Sequence, residues 1–218
     1  MQAIKKYLKF FIPFLLYIGV TPLLGLFIEN PEYAGYIIKT FLVTSALIYY
    51  WKQYNIKFRF DITSVIVGIL IFIIWVGPEL FLRLPGWYFI GDLSSFNPFL
   101  LDPDKFLIIF ILIVRVFGAV IAAPLVEELF VRSFLIRYLI DEDFESVRIG
   151  AYTLISFTVT VLFFGLSHQR WIPGLITGII LNLLLYWKKD ISSCIIAHSS
   201  ANAFLAAYVI LTNSWFFW

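Results

Sequence analysis

Apolar residues occur along the chain in long blocks, separated by short polar or proline-containing segments. The blocks lie at about 8–28, 34–51, 62–77, 106–140, 148–168, 175–187 and 191–213. A run of about 20 apolar residues is long enough to cross the hydrocarbon core of a bilayer as a helix. The pattern therefore predicts an all-α fold, a polytopic membrane helical bundle with seven or eight transmembrane helices.

The run 106–140 differs from the others in length, since a single helix over these residues would extend roughly 52 Å. Pro124 lies inside this run, and a proline within a helix removes a backbone donor and kinks or breaks the helix. We therefore expect one long tilted helix kinked at Pro124, or two helices that meet there. The short run 175–187 suggests that the connection 169–174 enters the protein, as non-helical backbone does where it lines a cavity.

The composition strengthens the membrane interpretation. Hydrophobic residues make up 61% of the chain and charged residues 14%, and the mean hydropathy is +0.93. A soluble domain could not cover this much apolar surface. No linker or internal repeat divides the chain, so we expect a single integral membrane domain over 1–218. Residues 1–104 would form N-terminal spans and an interfacial segment, and 105–213 the core helices. The aromatic residues of 78–104 and of Trp215-Phe-Phe-Trp218 are typical of membrane interfaces.

The charged residues separate onto two sides of the predicted membrane. If the spans alternate, the basic loop residues lie on one side and the acidic ones, such as Glu29, Asp92 and Asp102, on the other. The positive-inside rule then predicts a cytoplasmic N-terminus. The basic residues form no dense patch, so we expect no nucleic-acid partner. A single cysteine, Cys194, excludes an intramolecular disulfide and a cysteine-based metal cluster, and we expect it to fill space in a helix.

Few polar residues interrupt the apolar runs. They include Glu127, Glu128, Arg132, His168, His198, Asn202, Arg115 and Asn182. An ionisable side chain in the middle of a bilayer costs roughly 2.5–3.5 kcal/mol on insertion scales, so it needs a partner or a function. Arg132 follows Glu128 by four residues, and the two can pair on one helix face. This pairing leaves Glu127 for another role, while Arg115 and Asn182 fit packing or pairing roles.

Two further pairs share this spacing, because Phe164 precedes His168 by four residues and His198 precedes Asn202 by four. A glutamate and a histidine can take a proton from water and return it to a leaving amine. A histidine and an asparagine can donate hydrogen bonds to an oxyanion. A glutamate with two histidines could instead hold Zn²⁺ with an open position for water.

Other interpretations remain open for each residue alone. A Glu-Glu pair in a membrane helix is more often a packing or ion-pair device, and a histidine at the end of a span is usually structural. Simple alternation of spans also places His168 near the opposite membrane face from Glu127 and His198. The combination of residues favours a site, since almost nothing else in the spans is polar.

Three motifs, Glu127-Glu128-xxx-Arg132, Phe164-xxx-His168 and His198-xxx-Asn202, resemble in order those of the CAAX protease and bacteriocin-processing enzyme family. This family of intramembrane proteases is also called the Abi or type II CAAX prenyl endopeptidase family. Ser133 stands where the family often has glycine, and a serine is still small enough for close helix packing. The first motif also resembles a bacterial subgroup associated with exosortase-type sorting, so we expect a prokaryotic cytoplasmic membrane.

The resemblance implies a role for each residue of the motifs. Glu127 and His168 would activate the water, His198 and Asn202 would stabilise the oxyanion, and Glu128, Arg132 and Phe164 would support them. If a divalent metal such as Zn²⁺ is present, its ligands would be Glu127, His168 and His198. We favour the metal-free form, because an oxyanion role explains the asparagine and a zinc shell does not.

The leading hypothesis is an intramembrane endopeptidase that cleaves a membrane-anchored or lipidated protein in the lipid bilayer. The alternative is a non-catalytic family member that acts as a bacteriocin-immunity or membrane scaffold protein. A transporter or proton relay would also use intramembrane glutamate and histidine, but it predicts inverted repeats, and the sequence shows no clear repeat.

Overall fold

The computed structural model describes residues 2–28, 31–82, 96–100 and 105–218, and these residues form helices and turns without a β-strand. The α-helices are α1 Gln2–Leu24, α2 Pro31–Tyr54, α3 Ile62–Gly77, α4 Lys105–Phe117, α5 Ala123–Glu128, α6 Ile136–Tyr138, α7 Leu154–Leu166, α8 Trp171–Lys188 and α9 Ile191–Thr212. Short π-helical segments lie at Pro78–Leu82, Gly118–Ala122 and Leu129–Leu135, and 3-10 turns at Pro98–Leu100 and Trp215–Phe217. The predicted all-α fold is confirmed.

Five helical segments among the described residues are long and apolar enough to cross a membrane. They are Lys5–Leu24, Ile62–Phe81, Lys105–Tyr138, Trp171–Lys188 and Ile191–Thr212. The chain is therefore an integral membrane protein. Helix α2 is long but less apolar, and α7 is apolar but short, so the count of seven or eight spans stays a prediction. Asp92, Asp102 and most of the expected interfacial segment lie outside the described residues.

Residues Lys105–Tyr138, here called the motif helix, form one continuous helical segment, as the first of the two alternatives expected. The Ala123 N–H donates to the Gly118 carbonyl, five residues back. A π-helical bond joins a carbonyl to the N–H five residues later, so the donor to the Ala119 carbonyl would be residue 124. Residue 124 is a proline and has no N–H. The Ala119 carbonyl is thus open to a donor from another helix. A kink at Pro124 stays a prediction.

Helix α7 is shorter than the apolar run 148–168 predicted. It begins after Thr153, whose side chain accepts from the Ser156 N–H while the Ser156 hydroxyl accepts from the Thr153 N–H. This reciprocal cap fixes the helix start, and hydropathy alone does not reveal it. The expected connection 169–174 is also wrong in extent, because α8 already begins at Trp171.

The short α7 changes the depth at which His168 lies. Tyr138 and Leu154 stand at the two ends of the loop that joins α6 to α7. Measured along the helix axes, Glu127 lies about 17 Å from Tyr138, and His168 lies about 21 Å from Leu154. The two residues therefore reach similar depths. The expectation from simple alternation, which placed His168 near the opposite face from Glu127, is wrong because α7 does not cross a full bilayer thickness.

Small residues bring the helices around the site into close contact. A Cβ on Gly165 of α7 would lie 2.5 Å from the Leu175 side chain, and one on Gly68 of α3 would lie 2.5 Å from the Ala197 carbonyl of α9. Only a glycine allows these approaches, which resemble the small-residue packing common in membrane helices. They fix α7 against α8 and α3 against α9, next to His168 and His198.

The C-terminal aromatic segment, which the sequence predicted to lie at a membrane interface, has two of its four residues buried. Trp215 is 7% exposed and Phe217 is 5% exposed, and both pack with Val76 and Val209. Their rings cover the ends of α3 and α9, and an interfacial position for the rest of the segment stays a prediction. Phe217 and Trp218 also line the cavity described next.

Candidate active site

A cavity of about 280 Å³ lies between the helices, and the four predicted catalytic side chains all line it. Glu127 comes from α5, His168 from the turn after α7, and His198 and Asn202 from α9. Phe164, one of the supporting residues, lines the same space. Three segments that are distant in sequence thus meet at one polar site, as the order of the motifs predicted.

The carboxylate of Glu127 lies between a donor and a histidine. The Tyr17 hydroxyl donates to Oε1 at 2.8 Å, and Oε2 is 3.9 Å from His168 Nε2. Among the described residues none donates to the buried Oε2. A separation of 3.9 Å is too long for a direct hydrogen bond and allows one water molecule to bond to both atoms.

The backbone of α7 fixes the proton of His168. Nδ1 lies 2.6 Å from the Phe164 carbonyl, which can only accept, so Nδ1 carries the hydrogen. The neutral ring then has its lone pair on Nε2, which faces Glu127. Trp75 packs edge-on against the ring at 5.5 Å between centroids and holds its plane. His168 is therefore oriented as a base toward the cavity.

Beneath the site, Glu128 and Arg132 form the predicted ion pair, with Oε1 3.2 Å from Nη1 and both side chains 0% exposed. Arg132 Nε donates to the Asn182 Oδ1 at 3.3 Å, and Asn182 Nδ2 donates to the Thr160 hydroxyl at 2.9 Å. The Arg132 guanidinium also lies 4.3 Å from the centre of the Phe164 ring. The network ties the motif helix to α7 and α8, as buried charges require.

His198 extends this network toward the cavity. Its Nδ1 is 2.8 Å from the same Oε1 of Glu128 that pairs with Arg132. Because an ionised carboxylate can only accept, His198 carries a hydrogen on Nδ1. Glu128 therefore fixes the orientation of His198, much as the Phe164 carbonyl fixes that of His168.

The side chain of Asn202 is fixed by the motif helix. Asn202 Nδ2 donates to the Ala119 carbonyl at 2.8 Å, the carbonyl whose π-register donor position is occupied by Pro124. An amide nitrogen carries two hydrogens, so a second one remains for another acceptor. Pro124 thus contributes to the site by leaving a carbonyl available to Asn202.

The residues proposed as a Zn²⁺ site do not fit a metal ion. Among the described residues no three or more His, Cys, Asp or Glu side chains lie close enough together to hold one. Glu127 and His168 face each other across 3.9 Å, while His198 Nδ1 bonds to Glu128. No step of the reaction is therefore derived through a metal.

Sequence reasoning missed several residues of the cavity. Tyr17, from α1, bonds to Glu127 from 110 positions away, and Trp75 from α3 packs on His168. Lys39 of α2 and Arg115 of α4 line the same cavity. A tyrosine or tryptophan in an apolar run resembles a core residue, so no pattern along the chain marks the first two. Sequence reasoning named Arg115 but gave it a packing or pairing role, and the charge of Lys39 was the available signal for that residue.

The comparisons with known proteins agree with the motifs. The sequence model of the family described as Rce1-like, type II CAAX prenyl endopeptidase Rce1-like, matches residues 108–204, which is less than half of the chain. Searches of curated proteins and of solved structures found no match. The match does not distinguish the exosortase-associated subgroup, which stays a prediction. The matched segment contains all three motifs, and over these residues the chain is similar to the Rce1-like family of type II CAAX prenyl endopeptidases.

Proposed function

We propose that this protein is an intramembrane endopeptidase that hydrolyses a peptide bond in a membrane-anchored or lipidated protein. The observation that carries the proposal is the pair formed by Glu127 Oε2 and His168 Nε2, 3.9 Å apart in a cavity that His198 and Asn202 also line. The similarity of residues 108–204 to the Rce1-like family supports the reaction class. The roles of the individual residues rest on the geometry that follows.

In the first step, a water molecule donates one hydrogen bond to Glu127 and one to His168. Glu127 is ionised and His168 presents a lone pair, so the water oxygen is left with its own lone pairs for the substrate carbonyl carbon. Glu127 takes the proton as the water attacks. The Tyr17 hydroxyl, which donates to the other carboxylate oxygen, keeps Glu127 in the orientation that this transfer needs.

In the second step, the carbonyl oxygen becomes an oxyanion that needs donors. Asn202 supplies the Nδ2 hydrogen that the Ala119 carbonyl does not use. His198 already carries a hydrogen on Nδ1, so donation from Nε2 requires the imidazolium form.

In the last step, the tetrahedral intermediate collapses and the C–N bond breaks. The leaving nitrogen needs a proton, and Glu127 returns the one it took from water, directly or through His168 Nε2. The products are a carboxylic acid and an amine. Every group used belongs to the chain, and the water is consumed as a substrate.

The test compares Glu127→Gln with Glu145→Gln in purified protein reconstituted in liposomes. The probes are a farnesylated peptide and a single-span membrane peptide without a lipid, and mass spectrometry identifies the products. We expect Glu127→Gln to lower the rate by about 10²–10⁴, the range for a lost general base. Glu145 pairs with Lys9 away from the cavity, so its variant should keep the wild-type rate. Full cleavage by the Glu127→Gln protein would overturn the proposal.

The non-catalytic scaffold or immunity role gains no support from the site, since such a role does not need Glu127 and His168 to face each other in a cavity. A cell-based protection assay separates the two. If the Glu127→Gln protein folds normally and protects as well as wild type, the scaffold role replaces the endopeptidase role.

A further inference from the structure

A second cavity, here called the basic cavity, lies at the end of the helix bundle where α8 meets α9. Its volume is about 660 Å³, within the range of about 300–1,000 Å³ that is usual for ligand pockets. Its charged lining consists of six basic and two acidic side chains, Lys9, Lys57, Arg59, Arg137, Lys188, Lys189, Glu145 and Asp190. The proposed hydrolysis uses none of these residues, so the charges need another explanation.

The basic cavity lies at the level where several membrane-crossing segments begin or end. The motif helix ends at Tyr138, α8 ends at Lys188, and α9 begins at Ile191. Arg137 follows Glu127 by ten residues, which is about 15 Å along the helix axis and about half the thickness of a hydrocarbon core. The basic cavity is therefore separated from the active site and lies near the level of the lipid headgroups.

Two of the six cations have a carboxylate partner. Lys9 Nζ lies 3.0 Å from Glu145 Oε1, and Lys188 Nζ lies 2.8 Å from Asp61 Oδ2. The ion pairs of the described residues include none of the other four, which are Lys57, Arg59, Arg137 and Lys189. Asp190, the remaining carboxylate of the lining, caps the start of α9. With all three carboxylates counted, three positive charges remain in excess.

The motif helix supplies Ser133 and Arg137 to the wall of the basic cavity. The Arg137 guanidinium donates to the carbonyls of Ser133 and Val147, and these neutral acceptors leave its charge uncompensated. The Ser133 hydroxyl accepts from Arg137 Nη2 at 3.5 Å, and its own hydrogen has no acceptor among the described residues. The wall thus offers an anion a cation and a hydroxyl donor.

A role in membrane orientation does not explain why these cations converge. The positive-inside rule concerns the number of lysines and arginines in the loops of one membrane side, wherever they lie within those loops. Here α1, the connection between α2 and α3, the motif helix and the turn between α8 and α9 all bring cations to one cavity. Because like charges repel, this grouping is unfavourable unless an anion compensates it.

We propose that the basic cavity binds a phosphate group, carried by an anionic phospholipid or by a soluble phosphate compound. Arginine and lysine both form charge-assisted hydrogen bonds with phosphate oxygens. Basic pockets between membrane helices bind anionic headgroups, and the level of this cavity makes a lipid the expected source. The inference goes beyond the proposed endopeptidase function and does not rest on it, since no group of the active site takes part.

The test removes two exposed cations that belong to no ion pair of the described residues. Purified protein in neutral detergent micelles is titrated with phosphatidylglycerol or with phosphatidylcholine, and native mass spectrometry gives the affinity for each lipid. We expect wild type to prefer the anionic phosphatidylglycerol. Lys57→Gln/Arg59→Gln should weaken its binding roughly thirtyfold, or about fivefold for each cation, and leave the binding of phosphatidylcholine unchanged.

The matched control is Lys5→Gln/Arg148→Gln, which removes two exposed cations from the same end of the bundle but outside the basic cavity. It should keep the wild-type affinity. Lys57→Arg/Arg59→Lys retains both charges and should retain most of the affinity. Lys189→Gln is an independent variant in another segment and should weaken binding about fivefold. An equal loss in the control would mean general surface electrostatics and would overturn the proposal.

Soluble phosphate distinguishes the two sources of the anion. Thermal unfolding of the lipid-free protein is measured in sodium phosphate and in sodium chloride at equal ionic strength, because a ligand of the native state raises Tm. A preference for phosphatidylglycerol that needs Lys57 and Arg59 assigns a lipid headgroup. Equal binding of both lipids, with a phosphate-induced rise in Tm that the Lys57→Gln/Arg59→Gln protein lacks, assigns a soluble compound. If neither response depends on these two cations, the proposal is overturned, whatever a hydrolysis assay shows.

Discussion

The charged side chains in the two halves of the active-site cavity are held by different kinds of contact. In the motif half, Glu128 and Arg132 are fully buried and bond to each other, and Glu128 also holds His198. In the opposite half, Lys39 and Arg115 lie over the Tyr36 ring, and no ion pair of the described residues includes either cation. A charge in a membrane interior needs compensation, and the first half obtains it from ion pairs while the second half holds its cations against aromatic rings.

The difference also follows the family match. The motif half is built from residues 108–204, which contain every motif residue. Helix α2, which carries Lys39 and Tyr36, lies outside the matched segment. In the opposite half of the cavity, Arg115 is the cation that comes from the matched segment. The matched segment therefore holds the groups of the proposed mechanism, and the N-terminal helices contribute Tyr17, Tyr36 and Lys39 to the cavity. This division gives variants in the two halves different expected effects.

The largest effect on stability should come from Arg132→Met. The change leaves Glu128 buried beside His198 without its main counter-charge, so the free energy of unfolding should fall by about 3–5 kcal/mol. Denaturant unfolding in detergent micelles measures this loss. Arg148→Met, at an exposed position, is the control and should change little. A small loss for Arg132→Met would mean that the motif half does not depend on its internal pairing.

The next effect should come from Asn202→Ala. Asn202 is the residue proposed to donate to the oxyanion, so its loss should lower kcat by about 10²–10³ without a matching rise in KM. Steady-state kinetics with the farnesylated peptide measures both constants. Thr212→Ala serves as the control on the same helix, because the Thr212 hydroxyl bonds to the Tyr208 carbonyl away from the site. An unchanged kcat would remove Asn202 from the proposed mechanism.

Local spacing predicted the contacts made within one helix and not those made between helices. The Glu128–Arg132 pair follows from its four-residue separation. The depth of His168 could not be predicted from the sequence, because hydropathy does not detect the reciprocal cap at Thr153 that shortens α7. The link from Asn202 to Ala119 depends on the missing N–H of Pro124, which the sequence marked only as a bend or break. Tertiary packing, and not periodicity, determines these features.

A smaller effect should come from Tyr17→Phe, which removes one hydrogen bond and keeps the ring beneath Lys39. Tyr17 is a positioning residue, since it acts through Glu127. We expect kcat to fall about tenfold, the scale of one hydrogen bond to a charged group, with KM for the farnesylated peptide unchanged. Steady-state kinetics of the variant and of wild type checks this split. A rise in KM with unchanged kcat would mean that Tyr17 contributes to substrate binding and not to the orientation of Glu127.

The smallest effect should come from Asp61→Asn, which removes an ion pair outside the membrane-spanning segments. Lys188 lies 2.8 Å from Asp61 and lowers the pKa of Asp61 to about 2. The ordinary pKa of an aspartate is about 3.9, so the pair stabilises the fold fully above about pH 4. Its contribution decreases below that pH and is lost as the pH falls through about 2.

Thermal unfolding of wild type and Asp61→Asn at pH 6 and at pH 2 measures this contribution. We expect the wild type to have a slightly higher Tm at pH 6, and most of the difference to be lost at pH 2. Both partners are partly exposed, and such pairs contribute far less than buried ones. A Tm loss as large as that of Arg132→Met would contradict this ranking, because burial would then not explain why the motif half depends on its internal pairing.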